Sequence, residues 1–391
     1  LSDLQFTIDR DAFTDAVSWA GRALSTRPLN PILGGVRLSV VGSGLLQVAA
    51  FDYEVSASGV VAAEIVAPGS TVVSGRLLQA ITKTLPRKPI EFRAEGGTAH
   101  VACGAAKFTL PTMRVDDFPE LPAAPAVAGE VDAGQLGEAI AQTGCAIHKA
   151  DGYNELKSIC FDVDPLGGLT LTATDRYRIA TRTIPWQPVL DGTSRGVTRL
   201  LVPPRALGDI GRLSGDTVTL GFEGDDPHLL SFGGDGRSAI TQLIGEEFPN
   251  VESIFPTEHS AVAIVNAVEL TELLGRALAL DDRDRPHVHV QFSASVVRLS
   301  GGQAGMGEFH EEAALELAGD PIDVWLNPKY FLEGLAACRA DKVVIGFTLP
   351  KRPLLLVPFD GEAPVPHSGP FPAPSGDFRY LLMPAQPPVG P

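Results

Sequence analysis

The chain has 391 residues, 44% of them hydrophobic and 20% charged, with a formal net charge of −16. This length suits two or three domains of ~150 residues each, and no apolar run nears the ~20 residues of a membrane span. Acidity alone argues against a nucleic-acid binder, but exposed charges are screened beyond ~8 Å at physiological salt, so a local basic surface stays open.

The start, LSDLQFTIDR, has no basic segment ahead of an apolar one, so no secretory signal is expected. Phe13, Ala16, Val17, Ala20 and Leu24 then fall on one helical face. Alternation over Val36–Arg37–Leu38–Ser39–Val40 predicts a half-buried strand, and a strand pair follows over Leu45 to Val61. A second helix is predicted within Thr71 to Pro86, with Leu77, Leu78, Ile81 and Leu85 as its buried stripe and Arg76 and Lys83 off it. AEGGTA (Ala94 to Ala99) closes a hairpin.

After the linker PAAPAVAG (Pro122 to Gly129) the pattern returns. Its second strand pair is Leu169 to Ile184, its second-helix signal lies in Arg199 to Gly215 with Arg205 and Arg212, and its hairpin is FGGDGR. EEFPNVESIFP (Glu246 to Pro256) echoes DDFPELP (Asp116 to Pro122) and ends the copy. The third copy has Leu270, Leu273, Leu274 and Ala277 on one helical face and a strand pair over Val296 to Leu315. Its second helix lies within Asp323 to Asp341, and the Pro-rich Glu362 to Asp377 is expected as an exposed loop. A period of about 130 residues is too long for a solenoid, whose units run ~20–50. We therefore expect an α+β fold of three tandem domains, 1–122, 129–256 and 257–391, with helices gathered on one side of antiparallel sheet.

No catalytic constellation stands out. GGQAGMG (Gly301 to Gly307) lacks the GKS/T ending of a phosphate loop and precedes an alternating strand, so a hairpin loop is expected. His310–Glu311–Glu312 lacks HExxH spacing, Asp281 to Arg285 lacks the EF-hand pattern, and no GxSxG-type nucleophile accompanies the eight histidines. Four cysteines without a CxxC pair read as reduced thiols, not a zinc site. Neither cofactor nor metal is expected. Basic residues recurring on the second helices would instead make a track for phosphates without base readout.

Four segments in order carry a resemblance: STRPLNPILGGVRL (Ser25 to Leu38), KFTLPTMRVDDFPELP (Lys107 to Pro122), ATDRYRIA (Ala173 to Ala180) and FRYLLMP (Phe378 to Pro384). With the threefold repeat, they make the chain resemble the bacterial DNA polymerase III β sliding clamp family, in a form like actinobacterial members. The resemblance implies half of a closed ring, with sheets outside and two helices per domain inside. Two chains joined head to tail would encircle duplex DNA and slide on it, as a non-catalytic processivity factor in the cytoplasm, associated with the nucleoid. It implies DNA contacts at Arg27, Arg76, Lys83, Lys149 and Arg205, and a dimer contact pairing Phe108 and Leu110 with Ala279 and Leu280.

The resemblance further implies a groove for short peptides of the replicative polymerase alpha subunit, the clamp loader, repair polymerases and ligase. Its wall would comprise Leu156, Thr174, Arg176, Tyr177, Arg178, Ile179, Pro249, Ile254, Leu381, Met383 and Pro384. Two features depart from the family pattern. Glu252 and Ser253 stand where relatives usually carry basic or amide residues, and MPAQPPVGP replaces the common Met-Pro-hydrophobic-Arg-Leu ending. They raise a second expectation, a divergent second clamp whose altered groove resists a peptide-like inhibitor. A clamp-like scaffold that does not encircle DNA is the rival class.

Overall fold

The computed structural model describes residues 3–25, 28, 30–189, 196–208, 210, 213, 215–224, 226–279, 286–303, 307–359, 361, 370–374 and 376–387. Its helices are α1 (Arg10–Ala20), α2 (Gly75–Thr84), α3 (Ala133–Gly144), α4 (Pro204–Leu207), α5 (Ala267–Ala279) and α6 (Pro328–Cys338). Five of these follow a strand directly and begin at a side-chain cap. Asp9 Oδ1 accepts from the amides of Asp11 and Ala12 at 3.0 Å, and Ser74 Oγ from Leu77 at 3.5 Å. Asp132 Oδ1 accepts from Gln135 at 2.8 Å, Asn266 Oδ1 from Glu269 at 3.0 Å, and Asn327 Oδ1 from Lys329 and Tyr330 at 3.0 and 3.3 Å. A short oxygen-bearing side chain meets otherwise orphaned amides at each strand-to-helix turn, which starts the helix there.

The chain forms two compact units: Leu1–Gly137 with Trp186–Arg195 and Val202–Ile244, and Glu138–Pro185 with Gly196–Leu201 and Gly245–Pro391. The three repeats thus do not map one to one onto units, and the central repeat contributes to both. In the first unit, fourteen described strands form one continuous sheet. It passes from the central repeat to the first where Arg237–Gln242 pairs antiparallel with Val55–Ala62. The Trp19 indole N–H reaches the carbonyls of Ser58 (3.0 Å) and Ser238 (3.1 Å), one on each of those strands. α1 packs on α2 and on Val55–Ala62. Phe6 stacks on Phe92 and meets the edge of Phe13 in the core.

In the second unit twelve described strands form a second large sheet, beside a two-stranded one. Here Arg178–Pro185 of the central repeat pairs with Phe378–Leu382 at the end of the third. α5 packs on α6, and α6 lies against Phe378–Leu382 and Leu354–Pro358. The predicted helical face of Leu270, Leu273, Leu274 and Ala277 is buried throughout. Gly96 and Gly97, both at positive φ, make the two-residue turn between Glu95 and Thr98, and Asp235–Gly236 does the same between Gly234 and Arg237. The primed turn geometry matches strand twist and favours such residues.

Several expectations need correction. Leu77 is 48% exposed, and Thr82 takes its place in a buried stripe of Leu78, Ile81, Thr82 and Leu85. Arg76, Leu77, Ala80, Lys83 and Thr84 line the outward face. Leu24 lies beyond α1 and is only half-buried. The second-helix signal of the central repeat yields only α4 among the described residues, starting at Pro204 with Pro203 as its N-cap. Arg199 sits on the preceding strand and grips Asp162 at 2.7 and 3.0 Å. The Pro-rich segment is not all exposed loop. Phe371–Pro372 pairs with Glu258–His259 and Phe371 is buried, while residues 362–369 and 375 lie outside the described residues. Asp281 to Arg285 also lie outside them. Gly301 to Gln303 and Gly307 pair within a hairpin, and His310, Glu311 and Glu312 are strand residues.

Candidate functional site

Every expected groove residue falls within the second unit. Ile179 stands opposite Leu381 across the strand pair. Both pack with Phe255, Leu355 and Val357, and Val251 and Ala373 lie against that cluster. Leu156 and Thr174 are also buried. Beside them stand apolar side chains that water still reaches: Tyr177 and Ile254 at 46% exposure and Met383 at 38%. Pro249 is exposed and Pro384 half-buried. The Met383 amide donates to the Tyr177 carbonyl at 2.8 Å, which sets those two side by side. Buried apolar residues bordered by exposed ones suit a short peptide with a few apolar anchors.

The turn at Asp175 shapes this border. Asp175 Oδ1 accepts from the amides of Tyr177 (3.0 Å) and Arg178 (3.1 Å), and Thr174 Oγ1 donates to the Arg178 carbonyl at 2.7 Å. Arg176 sits at φ 77° and lays its guanidinium 4.4 Å over the Tyr153 ring. Arg178 is turned inward and does not line the surface. Only 3% exposed, its side chain binds Asp175 Oδ2 at 2.9 Å, Glu333, and the Tyr380 hydroxyl at 3.4 Å, with its guanidinium 4.3 Å over Tyr330. Burial by itself would lower its pKa; Tyr380, Glu333 and Asp175 together hold it above the ordinary value. Burial raises the Tyr380 and Tyr330 hydroxyls. It also pushes the nearby Cys145 thiol up to about 11, so that thiol is neutral and unreactive at neutral pH.

The first repeat builds the same turn in the first unit. Asp52 Oδ1 accepts from the amides of Glu54 (3.1 Å) and Val55 (2.9 Å), and Tyr53 takes φ 77°. The Gln242 amide donates to the Glu54 carbonyl at 2.9 Å, as Met383 does to Tyr177. The side chains differ. Ser56 takes the place of Ile179 by strand register, and Gln242 that of Met383, with its own amide on the Tyr53 carbonyl at 3.0 Å. One backbone design thus carries an apolar strip in one unit and a polar one in the other.

The basic candidates divide. Arg76 and Lys83 share the outward face of α2, and Lys149 is exposed. Arg205 is committed, since its guanidinium pairs with the buried carboxylate of Asp52 and stands 3.6 Å from Glu54. Arg27, Arg212 and Leu280 lie outside the described residues. At the expected dimer contact, Leu110 is buried, Phe108 half-buried and Ala279 exposed. Strand Ala106–Met113 pairs with Thr98–Cys103, and on its other side only Thr112 and Met113 are paired among the described residues. In Gly307–Gly319, residues 307–314 pair on one side with Val296–Gln303, and residues 315–319 pair on the other side with Ala261–Val265. Among the described residues no group of His, Cys, Asp and Glu could hold a metal ion, and no helix is long and apolar enough to cross a membrane.

Glu333, Tyr330 and Phe255 are among the site residues that sequence reasoning did not single out. Glu333 had no short-range signal, because its partner Arg178 is distant in the chain. Phe255 could have been found, lying in the FPNVESIFP segment that also supplies Pro249 and Ile254.

A three-copy strand–helix repeat with an apolar strip on the second unit defines a tandem-domain scaffold. Residues 4–122, 130–250 and 252–364 match the N-terminal, central and C-terminal domains of the DNA polymerase III beta subunit. The Beta sliding clamp of Streptomyces coelicolor is 33% identical over 98% of this chain and 99% of that protein. The Beta sliding clamp homolog GriR of Streptomyces muensis is 30% identical over 98% and 99%. The crystal structure of the Pseudomonas aeruginosa sliding clamp bound to griselimycin has the same fold, with a TM-score of 0.86 at 24% identity over 98% of this chain and 99% of that one. The chain belongs to the DNA polymerase III beta subunit family, the beta sliding clamps, and serves as a processivity factor of DNA replication.

Proposed function

We propose that this chain acts without catalysis, as half of a head-to-tail ring that encircles duplex DNA and tethers partners through the strip around Ile179, Ile254 and Met383. We take the three domains as 1–122, 129–256 and 257–391. The observation that carries the reading is the pair of half-free strands. Residues 106–111 of one strand and 307–314 of another each lack a partner on one side among the described residues. Unpaired edges invite pairing with another chain, and two different edges on one chain make a heterologous contact, which closes into a ring when the rotation between chains allows. Lys107 on the first edge and Glu308 and Glu312 on the second are exposed and of opposite sign, which favours their meeting.

A closed ring stays on DNA by topology, so its phosphate contacts need only be weak and sequence-independent. Arg76, Lys83 and Lys149 suit that task. We assign Arg205 a bracing role through Asp52 more than direct DNA contact. The strip would take apolar anchors of polymerase, loader and repair peptides, each anchor contributing ~1.5–3 kcal/mol when buried. Binding near micromolar, about −8 kcal/mol, lets partners exchange. The site of action is the cytoplasm, on nucleoid DNA.

The decisive experiment loads the chain on nicked circular DNA and linearises it. Retention on the circle with release from the line supports the ring; equal retention on both would point to a scaffold that does not encircle DNA. A second reading, an altered clamp that withstands a peptide-like inhibitor, draws on the Glu252–Arg379 ion pair beside the strip. Equal inhibitor affinity for this chain and for an ordinary clamp from the same cell would remove it.

A further inference from the structure

We infer that Glu252 sets the charge preference of the peptide strip, selecting against partner peptides that carry a carboxylate beside their apolar anchors. The inference rests on the groove reading above. Arg379 and Leu381 alternate along Phe378–Leu382, and Met383 follows just past its end with its amide on the Tyr177 carbonyl, so the three fall on one face with neighbours about 7 Å apart. Leu381 belongs to the buried cluster and Met383 to its exposed border, so Arg379 stands next to the apolar strip. Its guanidinium lies 4.4 Å over the ring of Phe255, a member of the same cluster. It is the cation that a peptide carboxylate next to the anchors would meet.

That cation is already occupied. Both Glu252 oxygens lie within 3.2 Å of Arg379 Nη2, and Oε1 also lies 3.3 Å from Nη1. Glu252 is carried on the same short helical turn as Ile254, and its side chain is 70% exposed. A partner carboxylate would therefore have to displace an internal one held at far higher effective concentration, while meeting its negative charge in the open. An uncharged or basic neighbour meets neither obstacle. Other charges nearby do not supply a substitute. Arg176 is stacked on Tyr153 and Arg178 is buried in its own ion pairs, while Glu246 holds the Asn154 side chain and the Glu155 amide at 3.2 Å.

The test uses the full chain and fluorescence anisotropy with three labelled peptides that share apolar anchors and differ at one flanking residue, Asp, Asn or Lys. The unaltered chain should bind the Asp peptide about tenfold more weakly than the Asn and Lys peptides. Glu252→Gln should bring the three within about twofold by tightening the Asp peptide alone. Adding Arg379→Gln should remove that gain while the Asn peptide stays bound. An unchanged Asp-to-Asn ratio in Glu252→Gln, or a gain that survives loss of Arg379, would overturn the inference with the groove intact. Failure of the Asn peptide to bind any form would overturn the groove reading and this inference together.

Discussion

Asp52 and Asp175 do the same work in two copies of the repeat. One oxygen of each accepts two amides of a turn whose second residue sits at φ 77°, and the other takes an arginine, Arg205 in the first case and Arg178 in the second. Non-glycine residues avoid that backbone region, at a cost of roughly 1–2 kcal/mol. The carboxylate offsets the cost by satisfying the turn's amides and anchoring a cation.

Asp175→Ala should therefore destabilise the full chain by about 3–5 kcal/mol, since it strips a buried arginine of a partner and two amides of their acceptor. Asp175→Asn, which keeps the amide acceptor, should fall between the two. Glu333→Gln, combined with Arg178 substitutions in a double-mutant cycle, should show a coupling of about 1–3 kcal/mol. Urea unfolding of the variants checks the order; an Asn variant as unstable as the Ala variant would place the effect in the ion pair alone.

Peptide binding should depend on the border more than on the buried cluster. Ile254→Asp should weaken an apolar-anchored peptide at least about tenfold while leaving the unfolding midpoint unchanged, because the side chain is half in water already. Calorimetric titration and thermal melting of the same samples separate the two effects.

Arg76→Glu with Lys83→Glu should release the clamp from circular DNA at lower salt than the unaltered chain, each lost phosphate contact reducing the salt slope by about 0.9. Arg205→Glu should instead lower stability, since it sets a carboxylate against Asp52. Retention on DNA across a salt series, with melting curves alongside, distinguishes the two kinds of arginine.

Acid should weaken the fold through His259. Its ring is buried against Gly346 with no hydrogen-bond partner on either nitrogen among the described residues, and burial lowers its pKa against a smaller opposing pull from the Phe347 carbonyl. Above about pH 6.5 the ring is neutral in both folded and unfolded chains and contributes no pH dependence. As pH falls below that value the unfolded chain takes up a proton first, so stability drops. Urea midpoints measured from pH 7.5 to 5 should show this slope, and His259→Phe should flatten it.

Much of the site was legible because its signals are local. TDRYR contains its own capping carboxylate, FPNVESIFP brings Pro249 and Ile254 together, and Phe378 to Pro384 supplies the alternating strand beside them. Local patterns misled where a neighbour decided the outcome. The apolar Leu77 was read into the buried stripe of α2, yet Thr82 fills that place with its hydroxyl directed at the Gln79 carbonyl. Arg178 looked like a surface arginine until Glu333 and Tyr380, from far along the chain, enclosed it.

Periodicity and short turn motifs are written within a few residues of one another, so the sequence alone determined the threefold repeat and the family. Tertiary structure decided what those elements meet. It put Ile179 opposite Leu381, set Arg379 on Phe255 under the hold of Glu252, and turned the central repeat's strands into two different sheets. Such pairings depend on which distant strands share a sheet and on which charges are removed from water together, and neither is recorded in the spacing of neighbouring residues.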